Sequence, residues 1–174
     1  MIRRKYIRQT VSQLLKDYGI NEAPVDVTAL AEKMGIKVLP TEADDSLSGF
    51  LFRGEGAQQP VIGVNSAHHE RRQRFTIAHE LGHYVLHGSE KIHYDDKSRG
   101  FQVHLRSPIS GEGSDRLEIE ANAFAAELLM PASFLEKDLQ DVVYLDVIDT
   151  DPVLDELVDR YQVSKRSLTL RLSH

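Results

Sequence analysis

Apolar residues recur every three or four positions at the start of the chain, where Ile7, Val11, Leu14, Leu15 and Tyr18 form one stripe. That spacing predicts a helix over 2–18, because residues three and four apart share a helix face, and Gly19 ends it. Pro24 opens a second helix over 26–34, with Val27, Leu30, Ala31 and Met34 turned inward and Gly35 as its stop. The period then changes. Short apolar runs at 36–39, 47–53 and 60–65, with a turn over 53–60 carrying Gly54 and Gly56, predict a small antiparallel sheet. Helical spacing returns in FTIAHELGHYVLHG, 75–88, where Phe75, Ala78, Gly82, Val85 and Leu86 fall on the core side. Asn65 or Ser66 is the expected N-cap and Gly88 the expected C-terminal glycine. A second helical run, LEIEANAFAAELLMP, covers 117–131. Between the two, 89–116 is rich in Gly, Ser and Asp and reads as a long loop with one short strand at 101–106.

Beyond Pro131, Ser133 is the expected cap of another helix, and a pair of short helices closes the chain. The first carries Leu154, Leu157, Val158 and Tyr161. A turn at Gln162 and Val163 follows, then a helix capped by Ser164 with Leu168 and Leu172. This order of elements predicts an α+β fold. One domain over 1–135 is expected, with 136–174 as an acidic, helical extension packed on it.

Chemistry concentrates on the two central helices. His79, Glu80 and His83 make H-E-x-x-H. On a helix, positions i and i+4 lie one above the other, so two imidazoles point at one spot and can hold a single Zn²⁺. Glu80 sits beside that face, where it can act as the base of a metal-assisted hydrolase. A catalytic zinc wants a third protein ligand, and without cysteine it must be His, Asp or Glu. Glu118 ranks first, because Asn122 lies one turn on and can hydrogen-bond a ligand histidine. Glu120 lies about 160° from Asn122 around the helix and ranks second; Glu127 ranks third.

The remaining polar residues have plainer expectations. His68 and His69 are expected to be exposed, and Arg71, Arg72 and Arg74 to form a solvated or ion-paired face. His87 shares the stripe of His79 and His83, and is expected to meet free carbonyls at the helix end. His93, Tyr94 and His104 are candidates to donate to a developing oxyanion. Residues 48–52 or 61–64 are candidates for a sheet edge that pairs with an extended peptide. Arg3, Arg4 and Lys5 read as a solvated helix start.

Composition adds limits. The chain has 174 residues, 41% hydrophobic and 28% charged, with net charge −6. That suits one folded domain and gives no global sign of a nucleic-acid binder. The absence of cysteine excludes disulfides and thiolate zinc sites and suits a reducing cytoplasm, the expected location. No apolar run approaches the ~18 residues that would span a bilayer. Residues 136–159 hold nine Asp or Glu against one Lys, read as a solvated acidic face. Lys165, Arg166 and Arg171 on the last helix would suit DNA, but the acidic helix before it argues against direct nucleic-acid binding.

RFTIAHELGHYVLHG followed by EIEANAFAAELLMP resembles the ImmA/IrrE family of zinc metallopeptidases, and PVDVTALAEKMGIKV, LSGFLF and VIGVN extend the likeness. The resemblance implies a zincin-like fold, one Zn²⁺ per chain and His79, His83 and Glu118 as its ligands. Glu118 matches the family's E-x-x-(A or C)-N motif, here running to Asn122. The resemblance also implies Glu80 as general base, and a helix-turn-helix repressor or antitoxin as the protein cleaved. Two His and one Glu also accept Mn²⁺ or Fe²⁺. Two other classes are weighed beside this one: a metal-containing partner that sequesters the repressor without cleaving it, and a DNA-binding regulator acting through the C-terminal helices.

Overall fold

The computed structural model describes residues 2–54, 56, 58–88, 92–96, 111–140 and 152–173. Helix α1 (Arg4–Asp17) buries Ile7, Val11 and Leu15, the stripe its spacing predicts. Helix α2 (Val27–Lys33) is capped by Asp26, whose side chain accepts from the Ala29 amide. Strands β1 (Lys37–Thr41), β2 (Leu47–Phe52), β3 (Val61–Asn65) and β4 (Ile92–Asp96) form one sheet in the order β1-β3-β2-β4. The central helices are α3 (Glu70–Leu86) and α4 (Gly111–Leu129); α5 (Ala132–Asp138), α6 (Pro152–Tyr161) and α7 (Lys165–Leu172) follow.

The sheet is small, as expected, but mixed. β2 runs antiparallel to β3 and β4, whereas β1 pairs with β3 in parallel. β1 and β2 are therefore not a hairpin: β3 inserts between them. The strands proposed from sequence as a peptide-binding edge, 48–52 and 61–64, are both internal. The edges among the described residues are β1 and β4. β4 arises inside the stretch read as loop, and it contains His93 and Tyr94. The strand expected at 101–106 and His104 lie outside the described residues.

α3 lies against the sheet at Gly49. A Cβ there would stand 2.7 Å from the Gly63 carbonyl oxygen and would also meet the Thr76 methyl, so only glycine lets β2 and α3 approach this closely. On its other side α3 packs along α4. Ile77, Ala78 and Leu81 from α3, Phe124, Ala125, Leu128 and Leu129 from α4, and Leu51, Ile62 and Val64 from the sheet join one core. The C-terminal helices complete it with Leu154, Leu157, Val158, Tyr161 and Leu168, as their spacing predicts. Among the described residues no helix is long and apolar enough to cross a membrane.

The start of α3 differs from expectation. Its N-cap is His69, whose Nδ1 accepts from the Arg71 amide. Asn65 instead sits one turn earlier, buried, with its amide nitrogen reaching the carbonyls of Ala43, Asp44 and Leu47. His68 is buried beside Asp45, at 2.9 Å, rather than exposed. The three arginines of the first turns are ties to neighbouring segments. Arg71 binds Asp159 and the Val163 carbonyl, Arg72 donates to Ser48, and Arg74 donates to the carbonyls of Val25 and Gln162. At its other end α3 stops at Leu86 with His87 as C-cap, and Gly88 follows directly, where the C-terminal glycine is expected. α5 takes its first amide bond from Glu127, which accepts from Ala132 N; Ser133 is not its cap. Ser164 caps α7 as expected, accepting from the Ser167 amide.

Candidate metal centre

His79 and His83 project from one face of α3 toward α4, where Glu118 faces them. Their ring nitrogens Nε2 are 3.1 Å apart. Glu118 lies with Oε2 3.2 Å from His79 Nε2 and Oε1 3.2 Å from His83 Nε2. The potential ligand atoms of all three side chains fall within 4.8 Å of one another. Both imidazoles are buried and Glu118 is partly exposed, so the cluster opens toward solvent on the carboxylate side. Glu80 is fully buried beside His79.

The distances are set by helix packing. Gly82 lies between the two histidines' turns, facing Ala121 and Phe124 of α4. A Cβ on Gly82 would come to 3.1 Å from the Ala121 Cα, its carbonyl oxygen and the Phe124 Cβ. Glycine leaves room for that approach where a methyl would have to push α4 by a few tenths of an ångström, and the approach brings Glu118 within reach of the histidines.

Hydrogen bonds behind the two imidazoles orient them. His79 Nδ1 is 3.0 Å from Asn122 Oδ1. An amide oxygen only accepts, so Nδ1 carries the proton and Nε2 presents its lone pair. His83 Nδ1 is 3.2 Å from His87 Nδ1, and His87 Nε2 is 3.3 Å from Glu120 Oε2. Glu120 only accepts, so His87 Nε2 carries a proton, and a neutral His87 then accepts the His83 Nδ1 proton on its own Nδ1. In that arrangement His83 Nε2 also presents its lone pair. Two imidazole lone pairs and a carboxylate converging on one point fit a divalent cation by their donor chemistry.

Glu120 is not among the three converging side chains; it sits behind His87, buried. Arg3 holds it through Nε at 3.1 Å and through Nη2, and Arg116 adds a contact at 3.3 Å. The Arg3 guanidinium, with the His87 hydrogen bond, pulls the Glu120 carboxyl down to about 2 against the cost of burial. Glu127 lies further along α4, bound by Arg171. The two rivals that sequence ranked below Glu118 thus have other partners. His87, expected at free carbonyls, instead touches His83. The carbonyls of His83, Tyr84 and His87 are taken by the Arg53 guanidinium. Arg53 was legible only as a turn residue and Arg3 only as a solvated helix start. The signal for His87 was its place on the stripe of His79 and His83.

A helix bearing H-E-x-x-H, laid over a small sheet and crossed by a second helix carrying a carboxylate, defines a metallopeptidase of zincin type. Residues 31–173 match the IrrE N-terminal-like domain. Immunity region protein 2 of Bacillus phage phi105 is 30% identical over 125 residues, 72% of this chain and 68% of the relative. The metallopeptidase ImmA of Bacillus subtilis is 29% identical over 135 residues, 78% of this chain and 69% of the relative. The radiation response metalloprotease IrrE of Deinococcus radiodurans is 32% identical over 123 residues; the shared part is 68% of this chain and 33% of that protein. A solved Mycobacterium tuberculosis transcriptional regulator has a similar fold, with a TM-score of 0.63 at 19% identity, over 97% of this chain and 46% of that one. The chain belongs to the ImmA/IrrE family of metallo-endopeptidases, enzymes that work with a divalent metal.

Proposed function

We propose that the chain is a zinc-dependent endopeptidase that cuts one peptide bond in a specific regulatory protein, a helix-turn-helix repressor or antitoxin. His79, His83 and Glu118 would hold the zinc. The observation that carries this reading is the convergence of two imidazoles and one carboxylate beside a buried glutamate. A zinc bound there supplies Lewis-acid chemistry, acidifying water toward a pKa of ~7 and polarising a carbonyl. Glu80 accepts the proton of the attacking water and returns it to the leaving amine. Among the described residues β4 is a sheet edge, and such an edge offers backbone donors and acceptors to an extended peptide. The names of the relatives, a phage immunity region and a radiation response, support a regulatory target.

The test is cleavage of the repressor-like protein encoded beside the gene, read by intact mass. Wild-type protein loaded with one zinc per chain should yield one defined fragment pair. Glu80→Gln should bind the same zinc and yield none. Equal loss of repressor function with both proteins, and no fragments from either, would refute hydrolysis and favour sequestration.

A further inference from the structure

We infer that the amino-terminal segment is part of the metal site, with Arg3, Glu120 and His87 acting as positioning residues for His83. The inference rests on His83 being a ligand, as proposed above. Its basis is an unbroken chain of contacts. His83 Nδ1 meets His87 Nδ1 at 3.2 Å, His87 Nε2 meets Glu120 Oε2 at 3.3 Å, and Glu120 receives the Arg3 guanidinium on both oxygens. The Arg3 backbone amide also donates to Glu120 Oε1, at 3.3 Å. Arg3 is the N-cap residue of α1, so the positive end of that helix faces the same carboxylate.

Each link is directional. A single His87 tautomer satisfies both of its neighbours, and it fixes the ring of His83 with Nε2 facing Glu118. Histidine ligands are commonly oriented by a carboxylate in this way; here a second imidazole lies between. Arg3 does more than neutralise Glu120, because Arg116 already supplies a positive charge to it. What Arg3 adds is a planar fork that sets the tilt of the carboxylate, and with it the His87 ring. Glu120 is fully buried while the Arg3 side chain is 40% exposed. The chain of contacts therefore runs from solvent to the ligand.

The placement has a consequence for the family. The residues that match the family run from 31 to 173, so Arg3 and α1 precede the match. A segment ahead of the matched residues thus reaches the proposed centre. Anything that draws Arg3 away, such as an acidic partner at the amino terminus, would loosen His83 without touching the metal face.

The experiment compares wild type with Arg3→Ala, Arg3→Lys, His87→Ala and His87→Gln. Zinc affinity is read by competition with a chromophoric chelator, ligand geometry by the visible spectrum of the cobalt-loaded protein, and fold by thermal unfolding without metal. His87→Ala should weaken zinc by roughly 10- to 100-fold and shift the cobalt bands. His87→Gln should recover most of the loss, because its carboxamide can accept from His83 and donate to Glu120. Arg3→Ala should weaken zinc by about 10-fold. Arg3→Lys should recover less than half of that, since it keeps the charge and loses the fork. Zinc affinity within twofold of wild type and an unchanged cobalt spectrum in both alanine variants would overturn the inference, whatever happens to metal-free stability. A wild-type chain that binds no zinc, or a His83→Ala variant that binds it normally, would instead refute the ligand assignment itself.

Discussion

Gly82→Ala is the sharpest test of how packing makes the site. The added methyl would sit 3.1 Å from two backbone atoms of Ala121 and from the Phe124 Cβ. Ordinary carbon contact needs a few tenths of an ångström more, and two of the three neighbours are main chain that cannot rotate away. α4 must therefore shift as a body, and Glu118 shifts with it, three residues before Ala121. Two terms oppose each other in stability. Alanine in a helix interior gains about 1 kcal/mol over glycine. Overpacking a close helix contact costs about 1–3 kcal/mol. The net for the metal-free protein is a loss of up to ~2 kcal/mol, and at ~2–4 °C per kcal/mol the melting temperature falls by no more than about 8 °C. Metal binding should suffer more, because ligand distances are tolerated only within about 0.2 Å and the shift exceeds that. Differential scanning calorimetry of metal-free protein, with zinc competition titration alongside, separates the two. Zinc affinity should drop by at least tenfold while the fold persists. A variant that binds zinc as tightly as wild type and melts higher would show that the helices yield freely, and that Gly82 does not set the distance.

Other expectations follow from the same geometry. Chelation should lower the melting temperature of zinc-loaded wild type by roughly 10 °C, from about 4 kcal/mol of linkage when zinc stands at a thousand times Kd; a His79→Ala, His83→Ala double variant should show no such shift by fluorimetry. Arg53→Ala removes the donor to three carbonyls at the end of α3, so amide exchange there should quicken and stability fall by about 1–3 kcal/mol, and unchanged exchange would count against the cap. Burial pushes the Tyr161 hydroxyl well above its usual range, and its hydrogen bond to Asp138 at 2.8 Å holds it there. Its contribution is fully present below about pH 10 and lost as pH rises beyond it, because the folded state keeps the proton longer than the unfolded chain. Tyr161→Phe should thus cost about 1 kcal/mol at neutral pH and show a shallower alkaline decline in urea titrations, and a parallel decline would refute the assignment.

Much of the architecture was readable from spacing alone. The stripe of α1, the burial of α3 and α4 and the closing pair of helices all depend on apolar period, which is local. The pairing of His79 with His83 is equally local, because the helix itself sets i and i+4 on one face. Glu118 could be ranked first, with Asn122 one turn on, for the same reason. What spacing could not supply is anything decided across elements. The insertion of β3 between β1 and β2 depends on how the loops travel, and neither strand's alternation encodes its neighbour. Glu120 and Glu127 read as rivals of Glu118 because all three are carboxylates on one helix. The docking of α1 and α7 brings Arg3 and Arg171 onto the other two, beside the local Arg116 contact to Glu120. Arg53, Arg3 and His87 took on their roles in the same way, through partners 30 to 117 residues distant in the chain. A sequence carries its periodicities within a few turns of each residue, whereas a hydrogen bond between distant segments exists only once the apolar faces have chosen how to pack.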